Sequence, residues 1–506
     1  MASTIPDPRQ GPRDASDAPD ARDVPQASEA PDDLGVSGSP STSERAVLVE
    51  RHGIDHIPDR ERHGRPRDLF AVWAAANVNY LSLVIGGALV LMGLSLWQAV
   101  GVIVAGNLFW VLTGLLAVSG PASGTPSEVI TRALYGVRGN RVNNAVVGWA
   151  ISVCYFALNL AAAAVAAFSL VERAGVPAGD GVKVAVVVAI AALTLTISVF
   201  GHAVIVKLYL PITLALTAAF AVVAVGVLGH ADFGYTPAEP LTGIDLWATL
   251  VAGVTLIAAG PLSYTTSADF SRYLPRTAAP RAVLGWTALG GFLPSVVVCS
   301  LGAFAATAVD MSDPQTALEE ILPSWFTPLF PLSLVVGTIS LNALTAYSAG
   351  LALQAVGIRI RRTLSVLVDG VVAVSLTLYA LLVSDFLDTV SSVLQLTVVL
   401  LGPSMAVYAT DILLRRNRYD GPALTDETPG SRFWYSAGVH WAGAVAVVAG
   451  ATAAALCVDT LYTGPVASAL GGVDLSLPAG IAVASATYAI LARFPAQDSV
   501  LTTSRT

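Results

Sequence analysis

Charge is what this chain has least of. Charged residues make up 12% of its 506 positions, about half the roughly 25% of an ordinary soluble domain. Residues 69–119 contain none, and neither do 142–171, 184–206, 208–229, 246–268, 282–309 or 321–358. A bilayer-spanning helix needs about 20 apolar residues. The pattern therefore excludes a soluble catalytic domain and points to an all-α polytopic membrane protein. Cysteine is nearly as scarce. Cys154, Cys299 and Cys457 are scattered through apolar stretches, with neither a disulfide framework nor metal-ligand spacing. The clustered His, Asp or Glu that a membrane enzyme would place on its helix faces are missing as well. No catalytic set, metal or organic cofactor is expected.

Residues 1–65 are a different material, rich in Pro, Asp, Ser and Arg and poor in aliphatic or aromatic clusters. Such a segment buries too little to fold, so a disordered cytoplasmic tail is expected there, with a second short tail over 496–506. No basic start leads into a short apolar core, so no secretory signal is expected. The net charge of −8 owes much to the first tail and to acidic loops, and says little about partners. The expected partners are a small solute and the lipid bilayer, with no nucleic acid; the oligomeric state is not specified.

Between the tails, over 66–495, the apolar runs predict twelve spans. They lie near 69–92, 97–119, 142–171, 183–200, 203–229, 246–267, 282–308, 327–355, 364–384, 389–413, 434–458 and 472–493. Basic residues in short loops mark the cytoplasmic side. Arg132, Arg138 and Arg141 follow span two, Arg272, Arg276 and Arg281 follow span six, and Arg359, Arg361 and Arg362 follow span eight. Arg415, Arg416, Arg418 and Arg432 follow span ten. The opposite loops carry Asp232, Glu239, Asp310, Asp313, Glu319, Glu320, Asp385 and Asp388. Both termini are thus expected in the cytoplasm of a plasma-membrane protein.

Two spans look broken. Span one carries Trp73-Ala-Ala-Ala-Asn77-Val-Asn79, and span six carries Gly260-Pro261-Leu-Ser263-Tyr264. Freed backbone groups go unsatisfied in hydrocarbon, so breaks survive where they line a cavity. Paired breaks in corresponding positions of two halves mark a transporter's binding site. Span one travels outward and span six inward, as a five-helix unit and its inverted copy would require.

Four motifs in order add a family resemblance. Tyr135-Gly136-Val-Arg-Gly139 leads to Tyr155-Phe-Ala-Leu-Asn159 in span three. Ala268-Asp269-Phe270-Ser-Arg272-Tyr273-Leu-Pro275 closes span six, and Asn342-Ala-Leu-Thr345-Ala-Tyr347-Ser348 lies in span eight. With the span-one motif, these resemble the nucleobase–cation symporter family of purine–cytosine permeases. The resemblance implies a five-plus-five inverted-repeat (LeuT-like) fold with alternating access. It also implies import of cytosine, purines, uracil, allantoin, hydantoins or vitamins with protons or sodium.

A nucleobase is flat, neutral and edged with donors and acceptors, so its site needs an aromatic face and amides that offer both. Tyr155 and Asn159 are four apart and share one helix face. The family's matching positions hold an aromatic, usually Trp, and an amide; Tyr here is a departure. Asn77, Gly260, Ser263, Tyr264, Asn342 and Thr345 complete the expected substrate set. In this fold sodium is held by carbonyls of the span-one break and two hydroxyls of span eight. Asn79, Thr338 and Ser340 are the candidates for coupling. Thr338 and Ser340 are two apart and point to different faces, and Leu341 stands where a second hydroxyl was wanted, so a proton is favoured. Asp369, His202 and His440 are thin proton candidates. Asp269 and Arg272 are expected to form a local ion pair. A channel should show a ring-forming filter repeat, which this chain lacks. The rival reading is a same-fold carrier of allantoin, a hydantoin, a vitamin such as thiamine or an amino acid, sodium-coupled.

Overall fold

Apolar runs become helices because hydrocarbon offers no other partner to the backbone, and each segment must close its own hydrogen-bond ladder. The structure is a computed structural model describing residues 52–493 other than 313, 359, 384, 385 and 461. Side chains at 202, 203, 315 and 386–396 lie outside that description, which leaves out His202 and Asp388. Residues 1–51 and 494–506, most of the two expected tails, lie outside it too. Among the described residues there are helices and two isolated β-bridges, and no strand.

Nine of those helices are long and apolar enough to cross a bilayer, and the bent pair Asp68–Asn77 and Tyr80–Leu91 makes a tenth span. Expected spans eleven and twelve are Trp441–Cys457 and Ser476–Leu491, of 17 and 16 residues, short of the roughly 20 a span needs. They pack on each other and on Phe386–Leu414 at the edge of the bundle. Leu214, Val225 and Val371 project outward, each more than 60% exposed, as a lipid-facing surface would.

The two breaks are built differently. In span one, Val78 (ψ 80°) and Asn79 (ψ 165°) leave helical space, and the axis bends by 58°. Asn79 then caps the second half, its Oδ1 accepting the Ser82 N–H at 3.0 Å while its Nδ2 donates to the Ala76 carbonyl at 2.8 Å. Such a cap contributes about 1 kcal/mol. In span six the helix Gly243–Leu262 runs through Gly260-Pro261 and stops just beyond, and Ala268–Ser271 resumes it. The Gly-Pro pair sits in the last turn, where proline deprives only one carbonyl of its donor.

Close approach of backbones holds the breaks in place. Span eight (Leu329–Ala355) passes the span-one break at Gly337, where a Cβ would lie 2.1 Å from the Val78 carbonyl oxygen. Span seven (Pro280–Ala305) meets the second half of span one at Gly302, where a Cβ would lie 1.9 Å from the Leu83 carbonyl. Small residues permit such contacts in membranes, where packing replaces the hydrophobic drive.

Residues 52–65, expected within the disordered tail, are instead packed on the end of the bundle that carries the arginines. Ile57 is fully buried and its N–H donates to the Gly124 carbonyl at 2.8 Å. Arg62 donates to the Pro121 carbonyl at 2.9 Å, the His63 N–H donates to the Tyr273 carbonyl at 2.6 Å, and Arg272 donates to the Gly53 carbonyl at 2.7 Å. One isoleucine and several backbone bonds order a segment whose composition alone gives no such signal. At the same end Arg132 and Arg141 both pair with Glu427, at 2.5 and 2.7 Å.

Candidate functional site

Both breaks open on one cavity. It spans about 890 Å³ of empty space, counting the part open to solvent. Span one contributes Asn77, Asn79 and Ser82, span three Tyr155 and Asn159, and span six Gly260, Ser263, Tyr264 and Thr266. Spans seven and eight close it with Ser295, Cys299, Leu341, Leu344, Thr345 and Ser348. Span three reaches the cavity just after a π-helical stretch, Asn144–Ala150, a feature that often sits beside functional positions.

Asn159 carries the strongest chemistry. It is 3% exposed and its amide makes no hydrogen bond to any described residue. Its oxygen and nitrogen are reachable from the cavity and not sealed in the protein, so the amide is free to offer both a donor and an acceptor to the edge of a ligand. One turn earlier, the Tyr155 hydroxyl lies 3.1 Å from Thr397 Oγ1 and donates to the Ala259 carbonyl at 3.3 Å, tying span three to the last turn of span six. Tyr264 stands across the break with its ring edge-on to Trp73 (centroids 4.7 Å apart) and tilted on Trp110 (5.4 Å). Pairs of this kind add roughly 0.5–1.5 kcal/mol beyond burial and fix the tyrosine as a wall. Asn77 spends its Nδ2 on the Trp73 carbonyl at 2.8 Å, and Ser263 Oγ donates to the Gly260 carbonyl at 2.6 Å.

Not every expected residue arrives here. Asn342 is buried behind the cavity wall and donates to the Phe156 carbonyl at 3.1 Å. Thr338 and Ser340 donate to the Leu334 and Val336 carbonyls of their own helix, at 2.9 and 3.0 Å, and neither lines the cavity. Asn79 does line it, as the cap of the break. His440 lies away from it, bonded to the Leu134 carbonyl at 2.9 Å and stacked on Tyr435. Asp369 accepts the Trp149 indole N–H at 2.6 Å on the far side of span three. Thr113 of span two, which nothing in the sequence singled out, brackets the span-six break. Its hydroxyl donates to the Pro261 carbonyl and its own carbonyl accepts from Ser267, both at 2.9 Å.

A second, smaller cavity of about 320 Å³ lies toward the arginine-bearing end, and Thr266 lines both. Asp269 sits beside it, accepting the Ser127 N–H at 2.8 Å and the Ser348 hydroxyl at 2.7 Å. Arg272, three residues on, reaches the Gly53 carbonyl and the Tyr347 hydroxyl (3.0 Å). Glu128, in the connection between spans two and three, lines this second cavity; the residue is 2% exposed and both its carboxyl oxygens are buried. No group of three or more His, Cys, Asp or Glu able to hold a metal ion occurs among the described residues.

Comparison with known proteins gives a consistent picture. Residues 56–499 match the family described as "Permease for cytosine/purines, uracil, thiamine, allantoin". A putative purine-cytosine permease of Bacillus subtilis is 26% identical over 461 residues, covering 88% of this chain and 96% of the relative. The solved structure of Mhp1, a nucleobase-cation-symport-1 family transporter in a closed conformation with bromovinylhydantoin bound, matches with a TM-score of 0.70. That match is 18% identical and covers 87% of this chain and 94% of Mhp1. The inward-facing conformation of Mhp1 matches with a TM-score of 0.66 at 17% identity, covering 88% and 96%.

Proposed function

The chain belongs to the nucleobase–cation symporter family of permeases and has its five-plus-five inverted-repeat fold, and we propose that it is a secondary active importer of a nucleobase or related neutral heterocycle. The observation that carries this reading is the unpartnered Asn159 amide facing a cavity walled by Tyr155 and Tyr264, between the two broken helices. The two rings offer faces to stack on and the amide offers both hydrogen-bond roles. A charged amino acid would want an ionic partner, and no Lys or Arg is among the described residues that line the cavity. Hydantoins and allantoin form a second substrate class, favoured by the hydantoin bound to the structural relative.

Coupling to a proton accounts best for the arrangement of span eight, where neither Thr338 nor Ser340 presents its hydroxyl to the cavity. The arginine-bearing end is the cytoplasmic one, by the excess of positive charge in its loops. Alternating access then requires the packed segment 52–63 to leave that end when the cavity opens inward. Uptake of radiolabelled cytosine, hypoxanthine, uracil and allantoin in a strain lacking base transporters, with and without an ionophore and with sodium removed, tests the reading. Accumulation of at least one base, collapsed by a protonophore and indifferent to sodium, is the expected result. Asn159→Ala should weaken apparent affinity about 5- to 150-fold, the equivalent of 1–3 kcal/mol, at unchanged membrane expression. Uptake at wild-type affinity would remove Asn159 from the site.

A further inference from the structure

Resting on that reading, we propose that the carboxyl pair Glu128–Asp269 is the proton-binding site of the transport cycle, joined to the substrate cavity through Ser348. The pair lies in the second cavity and its wall, one layer beneath the substrate cavity. Ser348 lines the substrate cavity and donates its hydroxyl to Asp269 Oδ2, so a group bound above is one side chain from the carboxyl below. Asp269 Oδ1 takes the N–H of Ser127, the neighbour of Glu128, and the Ala268 N–H donates to Ser127 Oγ at 3.1 Å. The end of span six is thereby fastened to the loop that carries Glu128.

Glu128 itself is the unusual member. Its backbone carbonyl is held by Asn140 at 2.6 Å and Asn144 at 3.0 Å, yet neither carboxyl oxygen has a hydrogen-bond partner. As carboxylates both groups only accept; one added proton turns their contact into a hydrogen bond. Charge counting leads to the same place. The charged groups acting on Glu128 are Asp269 and the Arg272 guanidinium, and Tyr408 and Tyr135 face the same cavity as neutral phenols. Arg132 is directed to Glu427, which it shares with Arg141, and is not among the main charges acting on Glu128. Span eight presents Tyr347 and Ser348 toward this region and no charge. Two buried carboxyls against one guanidinium leave one negative charge uncompensated, and a buried charge without a partner is expelled by taking up a proton. Burial first, and then the Asp269 carboxylate, hold the Glu128 carboxyl well above the ordinary carboxylate range. The proton comes from water on the outer side, binds the pair while the arginine-bearing end is closed, and leaves as hydronium when water enters from the cytoplasm. No other bond is made or broken.

The full chain in liposomes tests this. With radiolabelled cytosine, hypoxanthine, uracil and allantoin as probes, Glu128→Gln is expected to lose accumulation driven by an inward acid gradient. The loss should be at least tenfold, to the level without a gradient, while base-for-base exchange continues. Gradient-driven accumulation at the wild-type level in E128Q overturns the proposal. Infrared difference spectra need no substrate. The unaltered protein should show a protonated-carboxyl C=O band near neutral pH that fades in alkali and is missing in E128Q. Absence of that band in the unaltered protein, or its survival in both E128Q and Asp269→Asn, overturns the assignment. A protein that moves none of the four bases but shows the Glu128 band refutes the substrate reading and supports the proton site.

Discussion

At the scale of single residues, the chemistry rests on the Asn159 amide and the Glu128 carboxyl, and the sequence disclosed them unequally. Asn159 was legible because Tyr155 stands one turn before it and the pair defines a helix face. Span eight shows the limit of that method. Leu341, Leu344, Thr345 and Ser348 form the stripe that reaches the cavity, so Asn342, about 100° around the helix from Leu341, turns behind it to Phe156. Glu128 was illegible: one acid in a short connection between spans reads as surface, and no local pattern tells that 127–130 fold back beneath the cavity. Its burial carries a pH signature. A carboxyl whose folded pKa is raised above its unfolded value binds its proton more tightly in the folded protein. Its stabilising contribution is complete below the unfolded value and is lost as pH rises through the folded one. Glu128→Gln, which cannot ionise, should therefore match the parent in thermal stability below about pH 4, where the carboxyl is protonated folded or unfolded, and exceed it increasingly toward about pH 9. A gap that stays constant with pH would show that burial does not raise the Glu128 carboxyl above its unfolded value.

At the scale of elements, the breaks were visible as Asn-x-Asn and Gly-Pro, but the partners that hold them were not. Thr113, Gly337 and the Gly302 contact come from elements distant in sequence, and nothing near 73–79 or 256–269 announces them. Two glycines separate the structural from the functional demands on a break. At Gly337 an added methyl meets the Val78 carbonyl and must push span one away from span eight. Overpacking of this kind costs roughly 1–3 kcal/mol, so Gly337→Ala should lower both thermal stability and uptake. At Gly260 nothing lies within 4 Å of an added Cβ, and the position opens on the cavity. Gly260→Ala should fold normally, and Gly260→Leu should fold and yet fail to bind, because its side chain occupies the substrate's space. Scanning calorimetry beside a binding titration distinguishes the two. Loss of stability in G260L comparable to that in G337A would place Gly260 in the packing of the bundle instead of on the cavity wall.

At the scale of the molecule, the all-helical membrane fold and ten of the twelve expected spans followed from composition. The closure of the arginine-bearing end did not, because its main device is residues 52–63, whose composition resembles that of a tail. This segment bridges the connection after span two, the end of span six and, through Gln354 beside Gly53, the end of span eight. These are the parts that must separate for the cavity to open inward. The anchor is Ile57, fully buried where the segment meets Gly124. Truncating a buried isoleucine to alanine costs about 2–5 kcal/mol, and if Ile57 is buried only in the closed state, that cost falls on the closed state alone. Since about 1.4 kcal/mol is tenfold in an equilibrium, Ile57→Ala should shift the balance toward the inward-open form by more than tenfold. Cys299, on the cavity wall, reports it. In a background carrying Cys154→Ser and Cys457→Ser, a membrane-impermeant thiol reagent applied to inside-out vesicles should label Cys299 more than tenfold faster in Ile57→Ala than in the parent. Right-side-out vesicles should show the opposite trend. Equal rates in the two orientations and both variants would mean that the segment rests on the bundle without holding it shut.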